Sequence, residues 1–210
     1  MKTAYPELPL ISSPKSTQVG LKESAHILLG LTDECLARAV FGVMYAEASK
    51  TDDRQSFRSA GNYNYSGIQT DTSRWQYSDP IVNRFVRIDS GGSTREFAGF
   101  KNNEGFFDFM VNRIKAKGFD GCNADNWTQT YIQKWWSPKE KAEYVKGTKK
   151  YNDKKSIFES AMIKFDEYKK SFKGTKKKIS IKNVNYTTTI LIGLGIVAGY
   201  VLYKKLKLKK

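Results

Sequence analysis

One carboxylate is set apart by its position. Glu47 continues an apolar stripe of Leu36, Val40 and Met44 at the spacing of one helix face. A carboxyl in that place is partly desolvated, and a helix C-terminus is an unfavourable site for negative charge. Both effects raise its pKa, which suits a general acid at neutral pH. The structural alternative is a glutamate that simply emerges into solvent where its helix ends. A second carboxylate, to activate water or stabilise charge, would be Asp71, after the strand-like run Ser66 to Thr70. Asp89, at a hairpin, is next. Aspartate is also favoured in ordinary turns, so both positions carry that reading too.

The rest of the composition narrows the chemistry to carboxylates. The 210-residue chain has one histidine, His26, and two cysteines, Cys35 and Cys122. A Ser-His-Asp or Cys-His centre would have to use His26, which lies in the apolar run from Ala25 to Leu29 and is expected to pack or cap. No Cys/His/carboxylate cluster has zinc-binding spacing, and no Gly-rich phosphate loop follows a strand. No metal and no cofactor are expected. The two cysteines could pair, but nothing in the sequence forces it.

The elements that must hold these groups read as α+β, mainly α. A short apolar helix is expected from Leu21 to Leu31, with Thr32 or Asp33 capping the next. From Glu34 to Ala48 the chain is apolar on all sides, the mark of a helix buried in the middle of a domain. From Gly61 to Phe100, Gly, Asn, Ser and Tyr dominate. There Arg84 to Asp89 and Thr94 to Phe100 flank Ser90-Gly91-Gly92-Ser93, a hairpin signal. Helical pattern returns at Asn103 to Lys117, at Asp125 to Trp136, and in a basic amphipathic helix from Lys154 to Phe172. The expected organisation is an extended N-terminal arm (1–20), a domain (21–173), a Lys-rich linker (174–185), a membrane span (186–203) and a basic tail (204–210).

Several stretches together carry a resemblance. They are Tyr45-Ala46-Glu47-Ala48-Ser49, then Gly61-Asn62-Tyr63-Asn64-Tyr65-Ser66-Gly67-Ile68-Gln69-Thr70-Asp71 and Ser73-Arg74-Trp75. Later come Arg95-Glu96-Phe97-Ala98-Gly99-Phe100 and Lys117-Gly118-Phe119-Asp120-Gly121. Over about residues 25 to 136 the chain resembles the lysozyme-like superfamily, in its glucosaminidase and lytic transglycosylase branch. The resemblance implies a mainly helical fold with a small antiparallel β lobe. It also implies a peptidoglycan-cleaving glycosidase with Glu47 as its acid, cutting a β-1,4 bond. Sugar rings stack on aromatic faces and need directional polar partners. Tyr65 and Gln69 are the favoured cleft residues, with Tyr63 and Trp75 beside them. Trp127, Tyr131 and Trp135 form one helical stripe that reads first as core. The resemblance makes Tyr131 a cleft candidate. Many lytic transglycosylases use one glutamate and the sugar's own 6-hydroxyl, so hydrolysis and a 1,6-anhydro product both stay open.

Charge and hydropathy speak about location. The net charge is +15, yet residues 1–133 hold 15 basic and 15 acidic side chains, and residues 134–210 hold 21 and 6. The uncharged run Thr187 to Tyr203, collared by lysines on both sides, is long enough to cross a bilayer as a helix. Its Gly195 and Gly199 suit a helix–helix contact and self-association. Lysines beside an anionic leaflet explain the basic pI better than nucleic acid, which is not expected as a partner. No signal peptide is expected, since residues 1–20 lack an apolar core. A wall-degrading domain with an anchor and no export signal suits a virion component of a membrane-containing bacteriophage. The alternatives are a non-catalytic lysozyme-like wall-binding or structural membrane protein of a virion, and a basic membrane-surface adaptor with no glycan ligand.

Overall fold

The helix that carries Glu47 in its last turn runs through the middle of the protein. The computed structural model describes residues 3–48, 56–70, 74–75, 77–88, 92–136, 138 and 141–173. Residues Met1–Lys177 form one compact unit. Helix α1 spans Leu21–Leu31 and α2 spans Glu34–Ala48. Asp33 starts α2, its carboxylate accepting from the Leu36 amide at 2.9 Å. Leu36, Ala37, Ala39, Val40, Phe41, Val43 and Met44 are all buried, as a helix apolar on every side requires. Helix α3 (Asn103–Ala116) packs beside α2, carrying Phe106, Phe107, Phe109, Met110 and Ile114 inward. Helix α4 (Ala124–Thr130) continues directly into a π-helical segment, Tyr131–Trp136. The basic helix α5 (Lys149–Lys169) closes the domain against α1, α2 and α4. His26 packs on the end of α5, its Nε2 3.0 Å from the Tyr168 carbonyl oxygen and its ring against Phe172.

The β part is small and mixed. Strands β4 (Ile81–Ile88) and β5 (Thr94–Phe100) form the expected antiparallel hairpin. The N-terminal arm departs from expectation. It is extended, but it is woven into the domain instead of preceding it. Strand β1 (Leu10–Ile11) pairs in parallel with β4, so the sheet is not purely antiparallel. Strand β2 (Gln18–Gly20) pairs with β3 (Ser56–Arg58), and Tyr5 and Val19 are buried in the core. The sequence signal was masked because the three prolines of the arm suppress a strand pattern without preventing short edge pairing. The run Ser66 to Thr70 is not a strand either. It touches the sheet through a single bridge, Gln69 to Phe97.

Cys35, in the first turn of α2, and Cys122, just ahead of α4, form a disulfide. Gly121 makes their approach feasible. A Cβ there would collide with the Cys35 carbonyl oxygen and the Ala39 amide. Gly121→Ala is therefore expected to destabilise the protein by about 1–3 kcal/mol, since backbone cannot yield as a side-chain tip can. Urea unfolding measures it, and an unchanged midpoint would show that the loop does not pack this closely.

Among the described residues, no helix is long and apolar enough to cross a membrane. The expected span at 186–203, the linker before it and the Gly195/Gly199 pair lie outside the described residues.

Candidate functional site

Glu47 leaves α2 at the junction of two adjoining hollows of about 430 and 300 Å³, which share Glu47, Ser66, Gly67 and Gln69. The loop opposite Glu47 is shaped by Asn64. This buried amide accepts from the Ile68 amide at 2.8 Å and donates to the Ile68 and Ala98 carbonyls at 2.9 and 2.8 Å. It closes a tight turn through Ser66 and Gly67, and Gly67 takes a left-handed φ of 59° that favours glycine. The two hollows thus form one groove, with the β lobe on one wall and the helical part on the other.

The π-helical segment supplies the hydrogen bonds to the carboxyl. Tyr131 Oη donates to Glu47 Oε1 at 2.9 Å, and Trp135 Nε1 donates to the same oxygen at 3.1 Å. Oε2 accepts no hydrogen bond among the described residues, which leaves it free to carry a proton. The stripe Trp127, Tyr131, Trp135 therefore runs from core to groove. Trp127 is fully buried between Tyr131 and Phe158, with ring centroids 5.0 and 4.4 Å away. Tyr131 has a buried ring and a hydroxyl at the site, and Trp135 is half-buried in the groove wall. Such π segments recur at functional sites because they re-aim side chains.

Two carboxyls in the domain are driven in opposite directions. Glu47 is an exposed residue by surface area, yet the protein atoms around its carboxyl still displace part of its hydration. That desolvation raises its pKa, against the weaker lowering effects of the Tyr131 and Trp135 hydrogen bonds and the Lys154 charge. Glu96 is buried as well, which alone would raise its pKa. Hydrogen bonds from Thr3, Thr70 and Arg84 overcome this and hold it below the ordinary carboxylate range. Arg84 Nη1 lies 2.6 Å from Glu96 Oε2, so Glu96 is an ionised structural acid. Glu47 is the acid inclined to keep its proton.

The Tyr131 hydroxyl stays protonated throughout the useful pH range, because burial and the Glu47 charge both raise its pKa. It acts as a permanent donor that favours ionised Glu47. Tyr131→Phe is expected to raise the Glu47 pKa further, because it removes a hydrogen bond that favours the ionised carboxylate. NMR titration of carboxyl-labelled glutamate measures the shift, and an unmoved Glu47 signal would show the two groups to be uncoupled.

The other candidate residues are brought together unevenly. Gln69 lines both hollows, and Trp75 lines the smaller one. Tyr65 reaches the wall of the larger hollow, but its ring is buried edge-on to Phe106 and its hydroxyl donates to Asn103 at 2.7 Å. Tyr63 lies away from the residues that line either hollow. With Asn62 it adopts a left-handed conformation pinned by Thr17 and Lys15, which faces it elsewhere. Asp71 and Asp89 fall outside the described residues. Among the described residues lining the two hollows, Glu47 is the only carboxylate.

Sequence patterning missed two residues here. Ser66 Oγ and the Nε and Nη1 of Arg113 are buried without a hydrogen-bond partner, and both residues line the smaller hollow beside Glu47. Orphaned polar groups are rare in folded proteins and call for an explanation such as a catalytic or binding role. Arg113 is one of two basic residues on its helix, and nothing in its spacing marks it out. Cys35, Asp120 and Cys122 are close enough to hold a metal ion, but both cysteines are committed to the disulfide. A comparison with protein-family models, curated proteins and solved structures finds no match for this chain.

Proposed function

We propose that the protein is a peptidoglycan-cleaving glycosidase of lysozyme-like architecture, with Glu47 as its general acid. The observation that carries this reading is the carboxyl at the junction of the two hollows. Desolvation raises its pKa, Tyr131 and Trp135 hold one oxygen, and the other accepts no hydrogen bond among the described residues. Cleaving a glycosidic bond needs a proton on the leaving oxygen while positive charge develops on the ring. Glu47 supplies the proton from Oε2. The Tyr131 and Trp135 donors then stabilise the carboxylate that remains, so the hydrogen bonds strengthen as the reaction proceeds. Gln69 and Ser66 offer amide and hydroxyl partners for a chain of sugar rings, and Trp75 and Trp136 add aromatic surface to the same hollow.

Cleavage of a β-1,4 bond by this single acid is compatible with attack by water or by the sugar's own 6-hydroxyl. The lysine-collared run at 186–203 is proposed as a membrane anchor, which would hold the enzyme at a lipid surface, as in the virion of a membrane-containing phage. The test uses the full-length protein in mild detergent with purified peptidoglycan sacculi. Soluble glycan fragments are expected, and mass spectrometry of their ends distinguishes reducing from anhydro products. Sacculi left intact across pH 4 to 8 would overturn the reading.

A further inference from the structure

The unexplained cation in the groove is Arg113. It lies on α3, and its guanidinium is sandwiched between two indoles, with its carbon 4.4 Å from the Trp75 ring centroid and 4.8 Å from that of Trp135. A third ring, Phe109, is 5.8 Å away. Nε and Nη1 have no hydrogen-bond partner, and no carboxylate forms an ion pair with Arg113 among the described residues. The side chain also lines the hollow next to Glu47, beside Ser66, Gln69 and Trp136. Burial lowers its pKa to about 10, so it is still cationic at neutral pH.

This is an unusual way to keep an arginine. Buried guanidinium groups normally meet a carboxylate, because desolvating an unpaired charge is costly. The two indole faces offset part of that cost and fix the plane of the fork. They do not satisfy its N–H groups. A rigid, uncompensated guanidinium on the wall of a ligand groove is suited to a planar anion arriving with the ligand. The acid on the same wall strengthens the argument. A substrate carrying negative charge would be repelled by Glu47 whenever Glu47 ionised, and Arg113 neutralises that charge.

We propose that Arg113, clamped between Trp75 and Trp135, forms a carboxylate-binding subsite that makes the groove selective for glycan bearing carboxylate groups over neutral glycan. The inference rests on the glycan-cleaving reading of the groove. The carboxylate could come from the lactyl ether of a peptide-free muramoyl ring or from an attached stem peptide.

Binding to the full-length protein in detergent tests this without relying on turnover, with fluorescence of the tryptophans that flank Arg113 as the signal. Three probes are compared: a peptide-free GlcNAc–MurNAc tetrasaccharide, the same tetrasaccharide with its carboxyls reduced to alcohols, and a tetrasaccharide whose lactyl groups carry stem peptides. The carboxylate-bearing probes are expected to bind at least tenfold more tightly than the reduced one. Whichever of the two binds better identifies the source. Arg113→Met is expected to abolish the preference, and Arg113→Lys to retain part of it, since lysine keeps the charge without the fork. Equal binding of carboxylate and reduced probes by the unaltered protein overturns the subsite, with no variant needed. If that protein still releases fragments from sacculi, the glycosidase reading survives. Failure to bind any probe, together with intact sacculi, overturns both.

Discussion

Replacing Glu47 by glutamine is expected to reduce the proposed glycan cleavage by about 10²–10⁴-fold, the usual contribution of a positioned general acid. The amide keeps the shape of the side chain, and its carbonyl oxygen can still accept from Tyr131 and Trp135. It cannot deliver a proton. Loss of activity would therefore reflect chemistry and not a damaged groove. Stability provides an independent check with a definite sign. Glu47 has a folded-state pKa above its ordinary value of 4.5. Below that ordinary value the carboxyl is neutral in both folded and unfolded chains, and it makes no difference to stability. As pH rises toward the raised pKa, the unfolded chain releases the proton while the folded protein retains it, so stability falls. Above the raised pKa the loss is complete. Glutamine has no such slope. The variant is expected to melt close to the parent at pH 4 and above it at pH 7. Undiminished cleavage by the variant would remove Glu47 from the mechanism. A variant that melts lower at pH 7 would contradict the desolvated carboxyl.

Breaking the disulfide should have the second large effect. Cys35 and Cys122 are 87 residues apart in sequence, and closing a loop of that length stabilises a fold by about 4.6 kcal/mol in the chain-entropy account. For a domain of this size that corresponds to roughly 9–18 °C in melting temperature. The bond ties the first turn of α2 to the approach to α4. Helix α2 carries Glu47, and the π-helical segment that continues α4 carries Tyr131 and Trp135. The Cys35→Ser/Cys122→Ser double variant is expected to melt lower by that order, as is the parent protein under reductant. A parent whose melting ignores reductant would show that the bond does not form in solution.

The sequence exposed the helices more readily than the site. Helices α1, α2 and α3 follow apolar periodicity, and their boundaries agree with it to within a residue. The β4–β5 hairpin was marked by its Ser-Gly-Gly-Ser turn. Glu47 was legible because a charge at the end of an apolar stripe breaks the pattern that precedes it. The donors to its carboxyl were harder to see. A repeat of four along Trp127, Tyr131 and Trp135 is what a core helix also shows, and the π geometry that turns its far end into the groove leaves no signature in spacing. Arg113 was invisible for a related reason. Its two indole neighbours come from residues 75 and 135, far from it in sequence. Tyr63 and Tyr65 part company: Tyr63 is turned aside by a left-handed backbone, whereas Tyr65 lines the larger hollow with its ring packed on Phe106. The disulfide could not be derived from two cysteines alone, because the close contact that allows it depends on Gly121.

The pairing of β1 with β4 bears on how the chain assembles during synthesis. Leu10 and Ile11 find their partners at Arg84 and Phe85, and the Arg84 side chain donates back to the Leu8 carbonyl. Leu10 and Ile11 must therefore wait for some seventy later residues to be made before these partners exist. Such distant pairings slow folding and hold apolar surface open meanwhile. A tag or fusion placed directly on the arm would sit beside a late-forming joint, whereas it would commonly be assumed to extend a free tail.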